Sequence, residues 1–285
     1  MTTDNIPKML QQASNSNRDL FLEVLNGVMH NGSVLAPRGQ KIREIENAMI
    51  ELNPIYPCMS FTDRKFNLEY AKKEWIWKLT GNRYDESIKD HAKAWADLAD
   101  VDGGYNSNYG QYFFGKQNGF EWVVHELIRD KDSRRAVIPL LNADHLRTNN
   151  PDHVCTESIS FRIRDDRLNM SVNMRSNDVI WGLTTDAITF CLLYRMVYVY
   201  LREFYPELGI GIYNHKADSL HIYERHWPMA NAILQAGPDA YTAIEIPWPF
   251  GFQEVEILRA TGGKMTLEQL SEYPIELPFY SWLVS

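Results

Sequence analysis

Residues 155–190 read CTESISFRIRDDRLNMSVNMRSNDVIWGLTTDAITF, and the spacing of their apolar side chains decides the fold class. Ile159, Phe161 and Ile163 alternate with Ser160, Arg162 and Arg164. Past Asp165-Asp166-Arg167 the alternation resumes, with Leu168, Met170, Val172 and Met174 set against Asn169, Ser171 and Asn173. Successive side chains of a strand point to opposite faces, so this stretch predicts a β-hairpin with one buried face. The period then changes. From 178 to 204 apolar residues occupy almost every side of a helix, which predicts a long helix within the core.

Outward from there, Leu20, Phe21, Val24, Leu25 and Val28 predict a helix over 18–28 with Asn17 as its cap. Leu68, Ala71, Trp75 and Leu79 predict another over 67–79, ended by Gly81. A third is expected over 121–128. Residues 35–40 and 103–110 are rich in glycine, proline or asparagine and read as loops, and 220–223 as a short strand. Residues 1–17 carry Gln, Asn and Ser and are expected to be partly mobile. The aromatic tail 273–285 is expected to pack on the body. No repeat, low-complexity tract or Gly/Ser linker divides the chain, so one domain over 1–285 is expected. Helices mixed with antiparallel strands make the class α+β.

At 45% hydrophobic and 23% charged, the 285 residues suit a folded globular chain and not a disordered one. The net charge of −8 argues against nucleic acid or an anionic membrane as a general partner, though not against a local basic site. No apolar run approaches the roughly 20 residues of a membrane span. The polar start, with its acidic residues, does not read as a secretory signal, so a cytoplasmic location is expected. Cys58, Cys155 and Cys191 show no CxxC spacing, which favours neither a disulfide framework nor a zinc site.

Several residues have a chemical reading beside a bland one. Cys155 directly precedes the hairpin; it is a small packing residue or a nucleophile. Arg134-Arg135, Arg175-Ser176 and Arg38 are surface charges taken singly, yet guanidinium forks also grip phosphate, and cations nearby favour a thiolate. Asp186 interrupts an apolar run near the start of the long helix, where a carboxylate also stabilises the first turn through the helix dipole. His221 and Tyr223 share one strand face, with His226 beyond. Glu74 lies among lysines and tryptophans.

Read together, the segments Glu74-Trp75-Ile76-Trp77, Asn106-Ser107-Asn108-Tyr109-Gly110, Asp132-Ser133-Arg134-Arg135, Cys155-Thr156, Val172-Asn173-Met174-Arg175-Ser176-Asn177-Asp178, Gly182, and Ser219-Leu220-His221-Ile222-Tyr223 with Arg225-His226 form an ordered set. Their order and spacing resemble the thymidylate synthase superfamily and, within it, the bacteriophage-type deoxycytidylate hydroxymethylases. The likeness runs from about 38 to 226; the segment 228–285 diverges. It implies a thymidylate synthase-like fold, a mixed sheet with flanking helices, one of them long and buried. It implies Cys155 as nucleophile and Glu74 as organiser of water and proton transfer. The phosphate falls to Arg38, Arg175 and Ser176 of one chain with Arg134 and Arg135 of its partner in a homodimer. His221 and Tyr223 match the pair that holds the sugar. Asn108, Tyr109 and Asp178 fall to the substrate, and Trp77, Asp178 and Gly182 to 5,10-methylenetetrahydrofolate, a consumed co-substrate; no metal is implied. Closure of Tyr280–Ser285 over the folate is a further expectation.

Two departures from ordinary synthases set the substrate. Asp186 stands where they have asparagine, and Thr156 where they have histidine after the cysteine. Cytosine offers a ring-nitrogen acceptor and an amino donor, the reverse of uracil's edge. A carboxyl group accepts from that amino group and either donates to the ring nitrogen or pairs with its protonated form. The reading is therefore hydroxymethylation of dCMP. Methylation of dCMP, hydroxymethylation of CMP, thymidylate synthesis from dUMP, and a silent nucleotide-binding relative remain open beside it.

Overall fold

A computed structural model describes residues 6–146 and 150–285, with side chains from Asn17 onward. In chain order the helices are α1 (Ile6–Asn31), α2 (Leu68–Leu79), α3 (Gly110–Phe113), α4 (Gly119–Arg129), α5 (Thr184–Arg202), α6 (Trp227–Ala236), α7 (Phe252–Thr261), α8 (Leu267–Ser271) and α9 (Pro278–Val284). The strands are β1 (Ser33–Leu35), β2 (Ile42–Leu52), β3 (Ser60–Phe61), β4 (Val137–Pro139), β5 (Thr156–Arg164), β6 (Arg167–Met174), β7 (Asn177–Asp178), β8 (Gly209–Tyr223) and β9 (Tyr241–Thr242). Helices with a mixed sheet give the expected class. The residues form two compact units, each drawn from three stretches of chain; α5, β6 and β8 contribute to both.

The first unit holds residues 6–66, Ser171–Cys191 and Gly211–Ile246. Its strands run β1-β2-β8-β6, with β7 also beside β8. Helix α1 packs on β2 and α6 through Phe21, Leu25 and Val28, all buried. It is helical from Ile6, not from 18; mobility expected of 1–5 concerns residues outside those described. Asn17 is no cap. It lies inside the helix, and its amide donates to the carbonyls of Asn53 (2.9 Å) and Tyr56 (2.6 Å) while accepting from Asn53 N (2.8 Å).

Strand β8 is 15 residues long, where only 220–223 was expected. Its buried face carries Tyr213, His215 and Ala217, so a histidine and an alanine hide the apolar alternation. Antiparallel pairing sets Glu44 of β2 opposite His221, and parallel pairing with β7 sets Asp178 opposite His221 as well. The register thereby fixes which polar residues share this edge.

The second unit holds residues 67–146, 150–170, Leu192–Ile210 and Pro247–Ser285. Here the hairpin behaves as its spacing requires: Ile159, Phe161, Ile163, Leu168 and Met170 are buried. Asp165 and Asp166 turn the chain with φ of 51° and 54°. Two left-handed residues match the twist of a two-residue hairpin turn, and aspartate tolerates that region better than most residues. Helix α4 packs on β4 and β5, and Tyr194 of α5 donates its hydroxyl to Leu168 O (2.7 Å). The tail does pack on its unit, through buried Phe279, Tyr280 and Leu283 of α9 against α2 and α7, and those contacts are with helices.

His215 is fully buried in the first unit, with Nδ1 2.7 Å from the Tyr213 hydroxyl. Burial holds its pKa down from 6.5 to about 3, so the fold keeps it neutral while the unfolded chain takes up a proton below 6.5. Stability should therefore fall as pH drops from 6.5 towards 3, by at most about 1.4 kcal/mol per unit from this group. Urea unfolding across that window should show a shallower pH slope for His215→Gln; equal slopes would contradict the assignment.

Candidate functional site

In the second unit the site begins on α2. Asn67 caps the helix by accepting from Tyr70 N (3.0 Å), and Glu74 and Lys78 then fall one turn apart on its buried face. Lys78 Nζ lies 2.9 Å from Glu74 Oε1, with side chains only 3% and 9% exposed. Glu74 Oε2 is buried without a hydrogen-bond partner among the described residues.

The loop 106–110 docks on the end of this helix. Asn108 donates to Trp77 O (3.4 Å) and Asn82 O (3.1 Å) and accepts from Gly110 N (3.1 Å). A Cβ on Gly110 would lie 1.7 Å from Lys78 O, so only glycine permits this approach. On its other side the loop grips the chain ahead of Cys155. Ser107 donates to the Asp152 carboxylate through both N (2.7 Å) and Oγ, and Asn106 donates to Asp152 O (3.2 Å). Burial pushes the Asp152 carboxyl up despite those bonds. Tyr109 accepts from Thr156 Oγ1 (3.0 Å), and its ring centroid lies 5.9 Å from Lys78 Nζ.

Cys155 stands at the end of this chain of contacts, just before β5. Among the described residues none of the three cysteines forms a disulfide; Cys58 and Cys191 are buried and Cys155 is half-buried. Its sulfur lies 3.8 Å from His153 O. Elsewhere in the unit, Arg134 and Arg135 are exposed between α4 and β4. Ser133 shapes that turn, donating to Glu126 (2.6 Å) and accepting from Arg135 N (3.1 Å). The Ser133 hydroxyl and then Arg129 hold the Glu126 carboxyl below its usual range. Arg129 answers that acid, so among the described residues neither Arg134 nor Arg135 donates to a carboxylate.

In the first unit, Ser219 N donates to Arg175 O (3.2 Å), which fixes the end of β6. Asp178 accepts from Ile180 N (3.4 Å) and Trp181 N (2.9 Å) and so caps the wide turn Val179–Leu183 that enters α5. Asn177, 3% exposed, donates Nδ2 to Asp186 Oδ2 at 2.7 Å. A Cβ on Gly182 would come within 3.0 Å of that same nitrogen. His221 is buried with Nδ1 3.3 Å from Ser219 O, and its ring meets Tyr223 edge-on at 5.0 Å. Ser219 in turn donates to Glu44. Ser176 is half-buried, and Arg38 is exposed in the turn Pro37–Gly39 with φ of 50°.

Trp181 donates to His226 Nε2 (3.0 Å), and the buried Arg64 guanidinium lies 4.5 Å from its ring centroid. Arg64 donates to Ile180 O (2.9 Å) and Thr184 Oγ1 (2.6 Å), and burial lowers its pKa to about 10.

The structure thus joins Asp186 to Asn177 and His221 to Tyr223 in one unit, and Glu74, Tyr109 and the Cys155 segment in the other. Two expected contacts need correction. Trp77 is 1% exposed, donates to Asp85 O and packs with Trp95 and Tyr105, so its indole offers no face to a folate. Asn108 is fully buried with its amide spent on backbone; it supports the loop and does not reach out to a substrate. Lys78, Asn177 and Arg64 went unread. Lys78 had a signal in its i+4 spacing from Glu74, while Arg64 had none. Among the described residues no His, Cys, Asp and Glu cluster could hold a metal, and no helix is long and apolar enough to cross a membrane.

Known proteins similar to this chain include phage hydroxymethyltransferases. A deoxyuridylate hydroxymethyltransferase of Bacillus phage SP01 is 31% identical over 221 residues, 72% of this chain and 56% of the relative. The chain therefore spans little more than half the length of that curated relative. A deoxycytidylate 5-hydroxymethyltransferase of Enterobacteria phage T4 is 30% identical over 189 residues, 60% of this chain and 73% of the relative. A deoxyuridylate hydroxymethyltransferase of Pseudomonas phage M6 is 27% identical over 211 residues, 70% of this chain and 57% of the relative. The family described as thymidylate synthase matches residues 19–262, a span that takes in every site residue named above. The chain belongs to the thymidylate synthase family.

Proposed function

We propose that the chain hydroxymethylates carbon 5 of dCMP, using 5,10-methylenetetrahydrofolate and water. The observation that carries this reading is the Asp186 carboxylate, held by the Asn177 amide at 2.7 Å. Cytosine presents an amino donor and a ring nitrogen, and a carboxyl group meets both. Against uracil the same oxygens would face O4, acceptor against acceptor. Asp186 also favours the ring-protonated base that forms when sulfur adds, and so assists the transition state more than the ground state.

Cys155 supplies the thiolate that adds to carbon 6 and makes carbon 5 nucleophilic. Arg38, Arg175 and Ser176 bind the phosphate, joined by Arg134 and Arg135 of the second chain in a homodimer. His221 and Tyr223 hold the sugar. When bound, the folate supplies a one-carbon unit at the oxidation level of formaldehyde. The residues present suit it: Trp181 is 46% exposed and offers an aromatic face beside the Asp178 carboxylate and side-chain-free Gly182. Glu74 accepts a proton from the water that completes the hydroxymethyl group. Residues 1–285 then act as a single catalytic domain in the cytoplasm of a phage-infected host.

A second reading is hydroxymethylation of dUMP, favoured by the likeness to the SP01 and M6 proteins. Asp186 separates the two. Asp186→Asn should lower kcat/KM for dCMP by about tenfold or more, as one mispaired buried edge costs roughly 1–3 kcal/mol, and should raise relative use of dUMP. An unchanged preference for dCMP would remove Asp186 from base selection. With dCMP tritiated at carbon 5 and the folate present, the wild type should release tritium and Cys155→Ala should release none. Release that survives the substitution would rule out the sulfur adduct.

A further inference from the structure

Glu74 has a buried cation of its own. Lys78 Nζ takes Oε1 at 2.9 Å, and Oε2 of the same carboxylate is left buried with no donor. The lysine has little freedom to leave. Its backbone carbonyl accepts from Gly81 N (3.0 Å) with Gly110 packed against it, and its ammonium lies 5.7 Å and 5.9 Å from the ring centroids of Trp77 and Tyr109. Charged side chains seldom bury without partners, and among the described residues Glu74 is the only carboxylate that Lys78 meets. One oxygen is tied and the other bare, on a helix held through the loop 106–110 to the Cys155 segment.

We propose that Lys78 is a positioning residue for the water step: its ammonium holds Oε1 of Glu74 in an apolar setting and so turns Oε2 towards the attacking water. This rests on the hydroxymethylation reading above. In that step Oε2 takes a proton from water as the water oxygen bonds to the methylene carbon on carbon 5. The displaced electron pair re-forms the double bond between carbons 5 and 6 and expels the Cys155 sulfur as thiolate. No oxidant or reductant enters. A carboxylate that had lost its buried cation would lose the contact that fixes Oε1 and with it the aim of Oε2.

The water step runs alone, without folate, when 5-hydroxymethyl-dCMP is incubated with the enzyme in heavy-oxygen water and incorporation into its hydroxyl is followed by mass. The wild type should exchange. Lys78→Gln keeps an N–H donor but no charge, and should exchange at least about tenfold more slowly with nucleotide affinity unchanged. Lys78→Arg should recover to within about threefold. In a Glu74→Gln background, Lys78→Gln should change the rate by less than about twofold, because its partner's charge is already gone. A wild-type rate in Lys78→Gln, equal losses in the Gln and Arg variants, or a further drop in the double variant would overturn the role of Lys78 alone. A wild type that exchanges no oxygen would overturn the hydroxymethylation reading itself.

Discussion

Gly110 has no space for a side chain, and that restriction organises the second unit. The backbone of the loop 106–110 lies directly on the carbonyl of Lys78, where a Cβ would come within 1.7 Å. Asn108 ties the loop to the end of α2, and Ser107 and Asn106 tie it to Asp152, three residues ahead of Cys155. In the roles proposed for them, Glu74 as proton acceptor and Cys155 as nucleophile must hold their spacing closely. Here a short loop with its polar groups spent internally provides that link, each bond contributing about 1 kcal/mol net. Loops usually supply mobility; this one behaves as a strut.

The two acids to which the proposed function gives chemistry are held differently, as two different proposed tasks require. Asp186 accepts from the neutral amide of Asn177, which orients one of its oxygens. Glu74 is paired with a cation and keeps one bare oxygen. Arg64 follows a third pattern: a buried guanidinium that donates to a carbonyl and a hydroxyl, against the face of Trp181. In each case the partner offsets part of the desolvation cost that an isolated buried ion would bear.

Much of the fold could be read from apolar spacing alone. The β5–β6 hairpin and the long α5 follow directly from Ile159 to Met174 and from the run that begins near Val179. Strand β8 escaped because His215 occupies its buried face, a residue type that breaks any hydrophobic pattern. The start of α1 escaped because Asn17 resembles a cap in sequence yet serves as a clamp to residues 53 and 56. At the site, motifs singled out Cys155, Asp186 and His221, and the structure places Asp186 beside Asn177 and His221 beside Tyr223. Trp77 misled, since a tryptophan near a motif acid is as readily a core residue, and its ring lies with Trp95 and Tyr105. Lys78 and Asn177 pair with other side chains, Glu74 and Asp186, and spacing along the chain reports such pairings poorly.

The most direct test is the identity of the product. Wild-type protein, methylenetetrahydrofolate and an equal mixture of dCMP and dUMP can be incubated in heavy-oxygen water and the nucleotides analysed by mass. The expected result is 5-hydroxymethyl-dCMP carrying solvent oxygen, formed with release of tetrahydrofolate and ahead of any dUMP product. A methylated nucleotide formed with dihydrofolate, or faster consumption of dUMP, would contradict it.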